Sequence, residues 1–139
     1  MANTIHVDIV SAEGQIYAGD ANMVFVPASE GEIGIAPRHA PLLTTLKPGE
    51  VRVQIDGQEE QVFYVGGGAL EIQPKQVTVL ADTAARARDL DEAAANEAKR
   101  NAENVIAGRK DKMELAEAQA ELARAIAQLR AIDRIRKKR

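Results

Sequence analysis

The first 86 residues alternate apolar and polar side chains with the period of two that marks half-buried β-strands. The alternation is clearest over residues 5–9 and 51–55, where Ile or Val fills every second position. Turn-forming residues recur at the spacing of about 8–12 residues that is typical of sandwiches and barrels, as at Pro48-Gly49, Asp56-Gly57 and Pro74. These features predict an antiparallel β-sandwich over residues 1–86.

The remaining residues, 87–139, follow the longer period of an α-helix. Asp89 followed three residues later by Glu92 is a variant of the capping box, so a first helix is predicted from about Leu90 to Ala107. Gly108 is a natural left-handed cap that ends this helix. The inward stripe of the helix is predicted to consist mostly of alanine, at Ala93, Ala94, Ala98 and Ala102, with Val105.

A second helix is predicted to open at Asp111, with Leu115, Leu122 and Leu129 recurring every seven residues and Ile126 widening the stripe. A short turn makes the two helices antiparallel neighbours. The predicted fold class is therefore α+β, mainly β and then α: a sandwich over 1–86 followed by a two-helix hairpin over 87–139. Because alanine buries little apolar area, we expect the hairpin to hold to the sandwich weakly and to change its packing without unfolding.

The two parts carry opposite net charge. Residues 1–86 hold 11 acidic and 5 basic side chains, a net of −6, whereas residues 87–139 hold 10 acidic and 13 basic, a net of +3. The basic excess is densest at the C-terminus, at Arg130, Arg134, Arg136, Lys137, Lys138 and Arg139. This pattern is typical of a solvated helix end, and it also suits contact with an acidic partner. A free-standing protein that binds acidic partners or nucleic acid through this tail is the alternative hypothesis, although the tail has no aromatic side chains for stacking on bases.

No catalytic or metal-binding constellation is visible in the sequence. The chain has no cysteine, and its two histidines, His6 and His39, lie in no metal-ligand spacing. The alternation places His6 on the solvent face of a strand, and His39 falls in a predicted loop. Gly66-Gly67-Gly68 is followed by a strand pattern and not by Lys-Ser/Thr and a helix, so it indicates a bulge or a close backbone approach by a partner, not a phosphate loop.

Several segments, taken in order, resemble the epsilon subunit of bacterial F-type ATP synthase. The most specific is the segment from Ser29 to Leu43, which contains Glu30-Gly31-Glu32-Ile33-Gly34 and Pro37-Arg38-His39-Ala40-Pro41. Residues 8–13, 66–68, 79–84 and 120–125 match as well. The resemblance covers essentially the whole chain.

The resemblance implies a non-catalytic subunit of the central stalk, or rotor, of a proton-translocating enzyme. The family's sandwich binds the gamma subunit and the c-ring, with the loop at Glu30, Gly31 and Glu32, and with His39, facing the c-ring. The family's hairpin folds on the sandwich in one state, and in the other it extends into the alpha/beta catalytic head and inhibits ATP hydrolysis. The implied location is peripheral, on the cytoplasmic side of the bacterial inner membrane, with membrane contact only through the complex and with no nucleic-acid partner.

The same resemblance assigns roles within the hairpin. Arg130, Arg134 and Arg136 are expected to contact acidic loops of the catalytic beta subunits. Leu122, Ile126 and Leu129 are expected to supply packing that is used in both states.

One departure from the family concerns nucleotide binding. Some members bind ATP through Ile or Leu, then Asp, two further residues, Arg and Ala at the start of the first helix. Leu90 and Asp91 are kept here, but Ala94 stands where the Arg belongs. Because arginine supplies the charge and planar donors that a phosphate needs, we expect weak or absent ATP binding and no cofactor.

Overall fold

The computed structural model describes residues 3–108 and 112–137. Eight strands come first along the chain: β1 Ile5–Ser11, β2 Gly14–Ala21, β3 Met23–Ala28, β4 Gly31–Ile35, β5 Leu42–Gln54, β6 Gln61–Gln73, β7 Gln76–Ala81 and β8 Ala84–Arg86. A 3-10 turn at Ala87–Asp89 leads into helices α1, Glu92–Gly108, and α2, Lys112–Lys137. The predicted order of a sandwich followed by two helices is confirmed.

The strands form one hydrogen-bonded sheet in the order β2-β1-β7-β6-β5-β3-β4, with β8 also paired to β6. All pairs are antiparallel except β1 with β7, which is parallel. The long strands β5 and β6 pair along most of their 13 residues, from Leu42 opposite Ile72 to Val53 opposite Gln61. Leu46, in the first part of β5, and Val51, in the second, bury their side chains in the same core. The paired strands β5 and β6 therefore cross from one layer of the sandwich to the other.

The crossing of β5 and β6 between the layers explains the glycine triplet. Pro48 of β5 lies opposite Gly66 of β6, and Leu46 lies opposite Gly68. Gly67 and Gly68 have φ of +110° and +136°, a region that favours glycine. The close backbone approach predicted for the triplet is therefore made by the chain's own strand β7, whose Leu80 carbonyl lies against Gly68.

The core of the sandwich is aliphatic, with Phe63 as its largest side chain. Ile5, Val7 and Ile9 are buried at the alternate positions of β1, as predicted, and Val51 and Val53 are buried in β5. The intervening side chains face outward. Burial of these β-branched residues on one face fixes the register of each strand, because a one-residue slip would turn the face outward.

The start of α1 differs from the sequence-based prediction. The helix begins at Glu92, and Asp91 caps it, because the Asp91 Oδ1 atom accepts a hydrogen bond of 3.1 Å from the Ala94 N–H. Asp89 lies in the 3-10 turn, and Leu90 is extended, with φ −75° and ψ 141°. Leu90 packs beside the sandwich, and this tertiary contact keeps it out of the helix. The predicted second cap, Asp111, lies outside the described residues.

The apolar stripe of α1 agrees with the prediction only in part. Ala102 is buried and Ala98 half-buried, as predicted, whereas Ala93, Ala94 and Val105 are exposed and Ala95 is buried in their place. Helix α2 packs against α1 and also lies on β5 and β6 of the sandwich. Nowhere in the ranges 3–108 and 112–137 does a helix combine the length and apolar character needed to span a bilayer.

Candidate functional site

A small apolar interface joins α2 to the outside of the sandwich. We call it the docking face: Val62 and Tyr64 of β6, Ala87 and Leu90 of the connecting segment, and Ala127, Ala131 and Ile135 of α2. Three of these seven side chains are alanines, so the interface buries little apolar area. The Tyr64 hydroxyl is buried in it without a hydrogen-bond partner among the described residues, which further weakens the contact.

Two ion pairs fasten the C-terminal end of α2. The Arg134 guanidinium donates a hydrogen bond from Nε to Glu50 of β5, and Arg136 donates to Glu92 at the start of α1. The hydrogen bond from Arg136 to the Glu92 carboxylate raises the pKa of Arg136 above its ordinary value. Arg130 is exposed and forms no ion pair with any residue in 3–108 or 112–137. In this conformation, two of the three arginines that are predicted to contact the catalytic head are therefore engaged within the chain.

The three apolar residues predicted for hairpin packing are half-buried on α2. Ile126 and Leu129 line a groove between the two helices, together with Asn96 and Lys99 of α1. Leu122 lies one turn before Ile126 on the same helix. Their packing role in this state agrees with these positions, and their role in an extended state stays a prediction.

The predicted partner loop lies at the turn between β3 and β4. Glu30 is exposed in this turn, and Gly31 has φ of +139°, which requires glycine. Glu32 accepts a hydrogen bond of 3.2 Å from Arg52 of β5, whose guanidinium also stacks 4.3 Å from the centre of the Phe25 ring. Arg52 therefore holds Glu32 in place. Sequence reasoning missed this contact, although the alternation in β5 places Arg52 on the outer face.

His39 is separated from that turn by the length of β4. It lies in the loop between β4 and β5, where its Nδ1 donates a 2.7 Å hydrogen bond to the Ala40 carbonyl. The preceding Arg38 has φ of +65°, and its N–H donates to the Pro74 carbonyl at 2.9 Å. Glu30 therefore precedes β4 and His39 comes after it, so a strand about 13 Å long separates the two residues.

A small exposed apolar patch lies on the outer face of the sandwich layer that contains β5, β6 and β7. Leu43 is 74% exposed and Leu80 is 51% exposed. Both lie on the same face, because Leu80 pairs with Ala69, Ala69 pairs with Thr45, and Thr45 is two residues from Leu43. We call Leu43, Thr45, Ala69 and Leu80 the outer apolar face. Sequence reasoning did not find it, because an outward leucine in a strand gives no signal until the neighbouring strands are known.

His6 lies on the solvent side of β1, as its alternation predicts, between two carboxylates. Its Nδ1 is 3.0 Å from Asp20 Oδ1, and its Nε2 is 3.2 Å from Asp8 Oδ1. The hydrogen bond with Asp20, and then the charge of Asp8 and its hydrogen bond, raise the pKa of His6 above 6.5, against the opposing effect of burial. Protonated His6 therefore links β1 to β2.

This link predicts a small pH dependence of stability. The stabilisation is fully present below pH 6.5, the ordinary value, and is lost as pH rises through the raised pKa of the folded protein. Since the side chain is 42% exposed, we expect no more than about 0.5–1 kcal/mol. Urea unfolding at pH 5.5 and 8.5 should show that His6→Gln lowers the free energy of unfolding, relative to the unmodified protein, at pH 5.5 only. An equal loss at both values would contradict the ion-pair account.

The residues at the start of α1 offer little to a nucleotide. The Asp91 carboxylate is occupied in capping α1, and Leu90 belongs to the docking face. Ala94 is exposed and presents no charge. A cavity of about 320 Å³ lies next to Leu90, lined also by Tyr64, Thr83, Ala84, Ala85, Arg124 and Gln128. Within the described ranges, no three His, Asp or Glu side chains are grouped so as to hold a metal ion.

Comparison with known proteins places both parts of the chain in one family. Residues 4–87 match the family model described as the ATP synthase delta/epsilon chain β-sandwich domain, and residues 88–133 match that of its long α-helix domain. The ATP synthase epsilon chain of Alkalilimnicola ehrlichii is 62% identical over 136 residues, covering 98% of this chain and 97% of that protein. That of Nitrosococcus oceani is 63% identical over 138 residues, covering 99% of each.

The fold is also found in a solved assembly. A chain of the Euglena gracilis mitochondrial ATP synthase structure, described as OSCP/F1/c-ring in rotational state 1, superposes with a TM-score of 0.84 at 16% identity, over 95% of this chain and 83% of that one. This likeness shows the fold alone, whereas the sequence matches show descent. The chain belongs to the epsilon-chain family of ATP synthase.

Proposed function

We propose that the chain is a central-stalk subunit that couples the catalytic head of a proton-translocating ATP synthase to its c-ring and inhibits ATP hydrolysis through its hairpin. The observation that carries the proposal is the way the hairpin is held. The docking face and the Arg134–Glu50 ion pair attach α2 to the sandwich, and the Arg136–Glu92 ion pair joins α2 to α1, so the helices can leave the sandwich without disturbing its separate aliphatic core.

The sandwich offers two surfaces for the rotor. The outer apolar face exposes Leu43 and Leu80, which suits burial against the gamma subunit. The turn at Glu30–Glu32 presents carboxylates, one of them fixed by Arg52, and suits the polar loops of the c-ring. The chain would then reach the membrane only through the complex, on the cytoplasmic side of the bacterial inner membrane.

The inhibitory state requires new contacts for the released arginines. A conformation that extends into the head is favoured only by the difference between its interactions there and those it leaves on the sandwich. A switch from mostly closed to mostly extended needs about 5 kcal/mol of such difference. Arg130, Arg134 and Arg136, meeting acidic loops of the head, are the groups we expect to supply it.

Deleting residues 88–139 tests whether the hairpin inhibits ATP hydrolysis. In the complex reassembled with the shortened chain, we expect ATP hydrolysis to rise while ATP-driven proton pumping is retained, because the sandwich keeps its rotor contacts. Unchanged ATPase activity would show that the hairpin does not inhibit. ATP hydrolysis without proton pumping would instead show that the sandwich alone does not couple the head to the c-ring.

The alternative of a free-standing binder makes a different prediction. It requires salt-sensitive binding of oligonucleotides by the isolated chain. The tail has no aromatic side chains for stacking on bases, and residues 1–86 carry a net charge of −6, so the sequence does not favour this alternative.

We further propose that ATP does not regulate this chain. Calorimetry with the unmodified protein should show no binding tighter than about 1 mM. Ala94→Arg should strengthen binding about tenfold or more, since a charged hydrogen bond to phosphate contributes roughly 1.5–3 kcal/mol. Ala93→Arg, at the neighbouring exposed position, is the matched control. Micromolar binding by the unmodified chain would contradict the proposal.

A further inference from the structure

Glu50 occupies an unusual place on the sandwich. Its neighbour Val51 is fully buried in the core, so Glu50 projects from the opposite face of β5, directly across from Tyr64 of β6. Helix α2 covers this face, and the Glu50 side chain is only 12% exposed. Its carboxylate accepts the hydrogen bond of Arg134, which lies 84 residues further along the chain and is 38% exposed.

Several other charges on β5 and on the helices are engaged with partners of their own, whereas Arg130, one turn before Arg134, is exposed and forms no ion pair within the described ranges. On β5, Arg52 binds Glu32 and Glu60. On the helices, Arg136 binds Glu92, and Lys137 binds Asp133 at 3.1 Å. Arg134 is therefore the cation that matches the covered charge of Glu50, and the pair acts as a unit.

The pair joins α2 to the sandwich beside the docking face and is one of the contacts that hold the hairpin closed. Three of the seven side chains of the docking face are alanines, and its Tyr64 hydroxyl has no hydrogen-bond partner within the described ranges, which limits its apolar contribution. Separating this pair costs more than separating an exposed one, because without Arg134 the Glu50 carboxylate, only 12% exposed, would be left covered and unpaired.

We propose that Glu50 is the latch of the hairpin: it holds Arg134 in the closed state and competes for it with the acidic surface of the catalytic head. The competition with the catalytic head rests on the proposed function. The pairing of Glu50 with Arg134 in the closed state concerns the isolated chain and is tested separately. Arg134 is then one cation shared by two states, and Glu50 sets how readily it is released.

A single cysteine can report on the latch, since the chain contains none. Ala131 is fully buried against the docking face, so a thiol placed there by Ala131→Cys reacts with a water-soluble reagent only when α2 leaves the sandwich. When reclosing is faster than modification, the reaction rate is proportional to the open population. The rate is measured in the full-length chain with and without Glu50→Gln.

We expect Glu50→Gln to speed modification roughly three- to tenfold, as suits a pair between the exposed and the buried limits. Glu13→Gln, which makes the same charge change at an exposed site in the turn between β1 and β2, should leave the rate unchanged. The exchange Glu50→Arg with Arg134→Glu should restore slow modification. A rate for Glu50→Gln within twofold of the parent, or no restoration by the exchange, would overturn the latch.

The catalytic head supplies a separate readout. If Glu50 competes for Arg134, Glu50→Gln should also strengthen inhibition of the head by about the factor seen in the modification rate. The double exchange should close the hairpin and yet inhibit weakly, since the carboxylate introduced by Arg134→Glu would meet an acidic surface. Faster modification of Glu50→Gln with unchanged inhibition would support the role of Glu50 in the closed state and overturn its competition with the head. Deleting residues 88–139 tests separately whether the hairpin inhibits at all.

Discussion

Replacing Gly68 by alanine is expected to lower the free energy of unfolding of the sandwich by about 3–5 kcal/mol. Gly68 lies where β6 passes between the layers, paired with Leu46 on one side and Ala81 on the other. A Cβ atom there would overlap the Leu80 carbonyl oxygen and lie 2.9 Å from the Ala81 Cα. These are backbone atoms of the neighbouring strand, so relief of the overlap requires β7 to move.

Gly14 supplies the matched control for this substitution. Its φ of +130° is close to the +136° of Gly68, but an added Cβ meets nothing within 4 Å. Gly14→Ala should therefore show only the backbone strain, roughly 1–2 kcal/mol. Urea unfolding of both variants separates strain from overlap. Equal losses at the two positions would mean that the contact with β7 is not what requires glycine at position 68.

Neutralising Arg130, Arg134 and Arg136 together, each to Gln, is expected to weaken inhibition of ATP hydrolysis at least about tenfold. Each guanidinium that pairs with a carboxylate of the head contributes about 1 kcal/mol or more, and three such losses exceed a factor of about ten. The variant should also open more readily, because it loses the pair with Glu50 that joins α2 to the sandwich. Looser closure with weaker inhibition is the signature of arginines that serve in both states.

The matched control removes three exposed or peripheral charges from the same part of the chain. Arg88→Gln, Arg100→Gln and Lys112→Gln change the net charge equally and should leave inhibition nearly unchanged. The comparison is made by titrating each protein into the catalytic head. Equal loss of inhibition by both triple variants would show that net charge, and not the C-terminal arginines, carries the effect.

The sequence predicts the architecture of this chain well, because its strands and helices bury residues with regular periods. The alternation at Ile5, Val7 and Ile9 is found in β1, and the change to helix follows Arg86 within a few residues. The sequence-based helix cap, Asp89, lies two residues before the observed cap, Asp91, because both acids suit a cap. Only the packing of Leu90 on the sandwich decides between them.

The candidate site is less accessible to sequence reasoning, because its contacts join distant residues. Glu50 and Arg134 are 84 residues apart, and neither has a neighbour that indicates the other. The predicted alanine stripe of α1 includes Ala93 and Ala94, whereas Ala95 is buried, since an alanine-rich helix has no large side chain to fix which face turns inward. The roles assigned to Glu30, Glu32 and His39 toward the c-ring remain predictions.

Titrating the purified chain into a catalytic head that lacks it tests the central claim most directly. The full-length protein should bind and suppress ATP turnover, and the chain truncated after Arg86 should bind without suppressing it, because the sandwich anchors and the hairpin inhibits. If both proteins bind and neither suppresses turnover, the chain couples rotation without acting as a brake, and the inhibitory role of the hairpin is wrong.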